Sequence, residues 1–310
     1  MNTTIDQNWI RDNYQEALAK NIIVIVLALI IIGINGMLVV TYFQIPMFHS
    51  DPRYILYISL VINDILTICI TVIMFVLTYA MPNVNVSFCC VLLSLGSTTG
   101  INTPMILAGM AIERYIAVCK PLHHSQICTV NRTYVLITLI WIFSSIPALI
   151  DIIVVIALQP ISFFYSLTYC QAIVVYPSVY YTQKTTATQT LLFSIVWITL
   201  FYTYFRVLCT AKIASHGHHL SSAKKARNTI LLHGGQLLLC MLSYVTPVLF
   251  SVLIPLFPAH RTKITFVNYL LTCLLPRLLS PLIYGLRDQK FGRYLKRDFS
   301  CGLLIEKITP

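Results

Sequence analysis

A few residues stand out because their chemistry conflicts with their surroundings. Glu113-Arg114-Tyr115 closes an uncharged run from Asn85 to Ile112, and Lys120-Pro121 with His123 and His124 follows. Charges at the end of an apolar run are costly unless they reach an interface, pair, or line a polar cavity. An acid-Arg-Tyr triplet there can store an ion pair that opens when a neighbouring helix moves. Three further charges, Asp64, Asp151 and Arg277, interrupt otherwise apolar stretches. Gly96-Ser97-Thr98-Thr99-Gly100-Ile101-Asn102 gathers small and polar residues in one place. These fit the wall of a ligand cavity, and equally a close helix contact. The His123-His124 pair lacks a surrounding set of carboxylates or thiols, so a solvated loop is the better reading than a metal site.

The elements that hold these residues follow from composition. The 310 residues are 57% hydrophobic and 10% charged, with mean hydropathy +0.80. A soluble domain needs roughly a quarter charged residues, so the composition is that of a membrane protein. About 18 apolar residues suffice for a spanning helix. Seven windows reach or approach this: 21–46, 54–80, 86–118, 133–158, 185–210, 228–256 and 264–286. The expected fold is an all-α membrane protein, a bundle of seven transmembrane helices. After Arg287, the alternation of Phe291, Tyr294, Leu295 and Phe299 with Lys290, Arg293, Lys296 and Arg297 predicts a short amphipathic eighth helix on anionic membrane lipid. Three parts result: an extracellular tail (1–20), a seven-helix domain (21–286) and a cytoplasmic amphipathic helix and tail (287–310).

The net charge of +11 is distributed unevenly. With the N-terminus outside, five Lys/Arg fall outside (Lys184 among them), fifteen inside, and Arg277 within the last span. This bias sets the N-terminus outside and the C-terminus inside. The bases lie in short loops beside apolar spans, which argues against nucleic acid as a partner. The polar start, Met1 to Lys20, reads as an uncleaved tail. Asn2 and Asn85 head sequons on the outer side. The ten cysteines form no CxxC pair, which speaks against zinc, and Cys89, Cys90 and Cys170 lie on the oxidising side. Asp151 could face a cavity or snorkel outward; the outward reading is favoured. Cys301 is a candidate for palmitoylation.

The pattern from Met110 to His123, with Arg114, Tyr115, Cys119, Pro121 and Leu122, resembles the third helix of rhodopsin-like G-protein-coupled receptors, in its odorant-receptor form. Here Glu113 stands where Asp is usual. Asn35, Trp141 and Ser280-Pro281-Leu282-Ile283-Tyr284 match further family positions, with Ser280 in place of Asn. Lys225-Ala226-Arg227-Asn228-Thr229 and the stretch from Leu275 to Phe291 resemble a fish-type odorant-receptor branch.

The resemblance implies a receptor that binds a small-molecule odorant and activates a heterotrimeric G protein of the olfactory or stimulatory Gα type, raising cyclic AMP. Glu113, Arg114, Tyr115, Pro247, Ser280, Pro281 and Tyr284 would form the coupling and activation switch. Ligand contacts would fall on Ser97, Gly100, Ile101, Tyr244, Val248 and Leu274. Cys89, 25 residues before Arg114, would bridge to Cys170. Asn35, Asp64, Thr103 and Arg277 would make a polar core. Asp64 matches a sodium-binding position, with Thr103 and Ser280 as partners. Arg277 lies three residues before Ser280, on the same helix face. It could pair with Asp64 and displace the ion, or face another helix. The position that often carries an acid on the sixth helix is Arg227, so Arg114 must rely on Glu113 and polar neighbours.

Three alternatives compete with this reading. A rhodopsin-like receptor for a non-odorant small ligand has the same architecture. A transporter should show internal repeats and broken helices, and no repeat is visible. An enzyme needs a catalytic set such as HExxH, which is not present.

Overall fold

The computed structural model describes residues 14–215 other than Pro82, together with Leu253, Leu256, Phe257 and residues 260–279. Among these, five helices are long and apolar enough to cross a membrane. They are α1 (Tyr14–Gln44), α2 (Pro52–Ala80), α3 (Val86–Cys119), α5 (Val130–Leu158) and α8 (Ser178–Ser215). Short helices α4 (Pro121–Ile127), α6 (Ile161–Phe164) and α7 (Ala172–Val175) lie between them. The last described stretch holds α9 (Arg261–Tyr269), which runs into a π-helical turn, Leu270–Leu274.

Local sequence sets the helix starts. Asp51 caps α2 by accepting from the Arg53 amide at 3.0 Å, with Pro52 in the first turn, where a missing N–H costs nothing. Asn85 caps α3 through the Ser87 amide at 2.9 Å, and Thr129 caps α5. Two helices begin well before the apolar windows do, by seven residues each. Helix α1 starts at Tyr14, ahead of the expected boundary at residue 20, and Lys20 is buried with its ammonium 5.7 Å from the centre of the Phe266 ring. Helix α8 starts at Ser178, directly after Pro177, and draws Lys184 out of the loop expected to hold it. A polar Thr- and Gln-rich turn extends a helix as well as an apolar one does, so hydropathy misplaces such a start.

Helix α3 is the axis of the bundle, packed against α2, α5 and α8, while α1 packs on α2. Tyr57, Leu60, Val61, Leu107, Ile140 and Val196 belong to one core of these helices. The opposite faces carry large exposed apolar side chains, such as Leu29, Val135, Ile153, Ile156, Phe201 and Phe205. Water would penalise such a surface, and lipid does not. The loop after α5 folds over the bundle, where β2 (Leu167–Tyr169) pairs antiparallel with β1 (Asn83–Asn85), with Val84 opposite Thr168.

Candidate ligand cavity and polar core

A cavity of about 470 Å³ opens between α2, α3, α5, α8 and the segment around residue 273. Gly96, Ser97, Gly100 and Ile101 of α3 form one wall; Leu93 and Leu192 add apolar surface. At Gly100 an added Cβ would meet nothing within 4 Å, so the missing side chain is part of the cavity's volume. Thr99 and Asn102 turn into the bundle and are buried. The small-residue stretch thus serves both ends considered for it, one face per role. Leu274, expected as a ligand contact, does not line this cavity. It is buried with Ala28, Ile31 and Ile68, because its neighbour Cys273 takes the cavity side of the π-helical turn.

The inner end of the cavity is charged. Arg277 Nε lies 3.5 Å from Asp64 Oδ1, with both side chains nearly buried. Arg277 also donates from Nη1 to the Cys273 carbonyl at 2.6 Å. Asn35 donates to the Ile31 carbonyl at 2.9 Å and reaches the Arg277 carbonyl at 3.5 Å, tying α1 to this segment. Thr103 lines the cavity, and its hydroxyl accepts from Asn63 Nδ2 at 3.0 Å. Asn63 also donates to the Thr99 carbonyl at 3.0 Å and accepts from Asn102 Nδ2 at 3.2 Å. This asparagine clamp joins α2 to α3, and neither hydropathy nor any motif in the sequence marks the pairing of Asn63 with Asn102. Among the described residues the setting is a poor one for a sodium ion; Ser280, the other expected partner, lies outside them. The one carboxylate already faces a guanidinium, and Thr103 is engaged with Asn63.

The outer end carries a second pair. Lys184 Nζ lies 2.5 Å from Asp151 Oδ2 and 3.5 Å from the Pro147 carbonyl. Asp151 is 3% exposed and lines the cavity, which overturns the outward reading. Above it, the outer loop is fixed by a disulfide between Cys89 and Cys170, while Cys90 keeps a buried free thiol. Tyr176 stacks on Tyr181 at the roof, and burial pushes its phenol above the ordinary value. Asn85 sits half-buried in β1 as the cap of α3.

At the opposite end of α3, Glu113 is 4% exposed and stands between two bases. Arg114 Nε is 3.9 Å from Glu113 Oε2, and His124 Nε2 is 3.1 Å from Glu113 Oε1. His124 is therefore a partner of the triplet rather than a solvated loop residue, because α4 folds back beneath α3. Tyr115 packs against Tyr202 of α8 with ring centres 5.7 Å apart. Burial, and then the Glu113 charge, push the Cys128 thiol above its ordinary value. Asn2, Tyr244, Pro247, Val248, Ser280, Pro281 and Tyr284 lie outside the described residues, as do Arg227 and the amphipathic segment after Arg287.

Residues 34–284 match the family described as the 7 transmembrane receptor (rhodopsin family). The chain is 29% identical over 306 residues to Odorant receptor 131-2 of Danio rerio, covering 99% of this chain and 93% of that one. It is 27% identical over 286 residues to Olfactory receptor 4K2 of Homo sapiens, covering 89% and 87%. A match of that extent, on a bundle of apolar helices, supports one assignment. The chain belongs to the rhodopsin family of seven-transmembrane receptors, and is a multi-pass membrane receptor rather than an enzyme.

Proposed function

We propose that the protein is an odorant-type receptor of the plasma membrane, with the N-terminus extracellular and the C-terminus cytoplasmic. It binds a small ligand in the cavity and activates a heterotrimeric G protein, of the olfactory or stimulatory Gα type, that raises cyclic AMP. One observation carries this reading: a single helix, α3, lines the cavity with Ser97, Gly100 and Ile101 and presents Arg114 at its other end. A ligand that binds one arrangement of the bundle more tightly shifts the population toward it. In the signalling arrangement Arg114 leaves Glu113, and an inner cleft admits the G protein. Pro247, Ser280, Pro281 and Tyr284 belong to the same switch, and Tyr244 and Val248 to the ligand contacts, by family resemblance. The odorant assignment rests on the relatives and on the apolar part of the cavity wall. A non-odorant small ligand is the second reading, favoured by the charged pairs at both ends of the cavity.

The test is cyclic AMP in cells expressing wild type or Arg114→Ala at matched surface levels, with and without an odorant panel. A ligand-dependent rise that the variant loses is the expected result. Silence of the wild type at good surface display would count against the odorant class or the Gα type.

A further inference from the structure

The cavity's outer end is a built polar site. Asp151 and Lys184 are both largely buried, with side chains 4% and 16% exposed, and they come from different helices, α5 and α8. Lys184 gives one proton to Asp151 Oδ2 and another to the Pro147 carbonyl, and its ammonium lies 5.4 Å from the centre of the Tyr181 ring. An ammonium has three protons to give. Asp151 Oδ1 is buried and meets no donor in good bonding geometry, although the Tyr180 hydroxyl faces the same carboxylate and is itself unmet. A carboxylate oxygen so placed favours an incoming donor, since an unmet buried acceptor is costly. Thr185, Thr188 and Gln189 stand on the same side of the cavity, and Leu93, Ile101 and Leu192 supply its apolar surface.

We propose that this pair anchors the ligand's polar head, and that the head is a neutral group carrying a donor and an acceptor together, as an alcohol or a primary amide does. This rests on the reading of the cavity as the ligand site. The head donates to Asp151 Oδ1 and accepts from Lys184, leaving the ion pair intact. Charge decides against the other classes. The pair is neutral as a whole, so a ligand ammonium drawn to Asp151 is repelled by Lys184, and a ligand carboxylate the reverse. A zwitterion could match both charges only by prising apart a buried pair whose N–O distance is 2.5 Å. The hydrocarbon body then lies along α3 toward Ile101.

The test places a reporter thiol in the cavity. Thr188→Cys is introduced into the full-length receptor, and its modification by a thiosulfonate reagent is followed by mass spectrometry. The probes are 1-octanol, octanamide, octane, octylamine, octanoate and 2-aminooctanoate. Octanol and octanamide are expected to slow the reaction at least fivefold, and the other four to have little effect. In Asp151→Leu/Lys184→Met, which removes both charges at once and so leaves no orphan, octane should protect as well as octanol. Equal protection by all probes, protection by none, or stronger protection by a charged probe overturns the proposal. Protection by octanol without a cyclic AMP response would leave this inference standing and sink the signalling assignment. A robust odorant response with no dependence on the head group would do the opposite.

Discussion

Arg277 Nε stands 3.5 Å from Asp64 Oδ1, at the inner end of the cavity and out of reach of bulk water. Removing one partner of a buried pair leaves a stranded charge, which costs about 3–5 kcal/mol, whereas removing both is far milder. Asp64→Asn and Arg277→Gln should each lower thermal stability sharply, and the double variant should recover much of the loss. Additive losses would show the two groups to be energetically independent. With an arginine in place, exchanging sodium for choline in the buffer should leave ligand affinity unchanged.

Glu113 is held between Arg114 and His124. Glu113→Gln keeps the shape and removes the charge that restrains Arg114. Ligand-free cyclic AMP should rise about fivefold or more, the shift produced by roughly 1 kcal/mol of lost bias. His124→Ala should give a smaller rise. Basal signalling equal to wild type in both would show that the triplet is not restrained from this side.

Cys128 offers a pH readout of the same region. Its thiol titrates above the ordinary value, so at pH 8 less thiolate is present than in an unhindered cysteine. Maleimide labelling, followed by peptide mapping, should therefore be slower at pH 8 than for an unhindered cysteine, and its rise with pH should come later. Glu113→Gln removes one of the two causes and should move the whole profile to lower pH. An unmoved profile would leave burial as the sole cause.

Much of this was legible in the sequence because each feature is either a long apolar run or a charge set against one. The spans, the arginine at the end of α3, and the two charges Asp64 and Arg277 are of that kind. What was not legible depends on the third dimension or on helix phase. Lys184 counts as a loop base until α8 is seen to begin at Ser178, which turns it toward Asp151. His124 meets Glu113 only because α4 folds back under α3. Leu274 loses its place on the cavity wall to Cys273 through a π-helical turn that no hydropathy profile marks.

Gly100 faces open space, so a large side chain can enter without a clash at its root. Gly100→Ile should reach the cell surface like wild type, yet lose ligand affinity by about tenfold, or 1.4 kcal/mol. A concentration–response curve at matched display checks this. Unchanged affinity would move the ligand off this wall of α3.

The Cys89–Cys170 bond fastens the outer loop to the head of α3. Bridges of this kind contribute about 2–4 kcal/mol. Cys170→Ser should reduce surface display and thermal stability, and Cys90→Ser should do neither, since Cys90 takes no part in the bond.

The two pairs within the membrane, Asp64 with Arg277 and Asp151 with Lys184, have a consequence for the receptor's relation to the cell's voltage. A lone charge crossing the bilayer exchanges about 2.3 kcal/mol per 100 mV with the field. A pair that travels together carries no net charge, and the field acts only on the small dipole between its ends. Helix movements that keep both pairs intact are thus electrically quiet. As far as these two pairs are concerned, such movements run alike in a resting cell and a depolarised one.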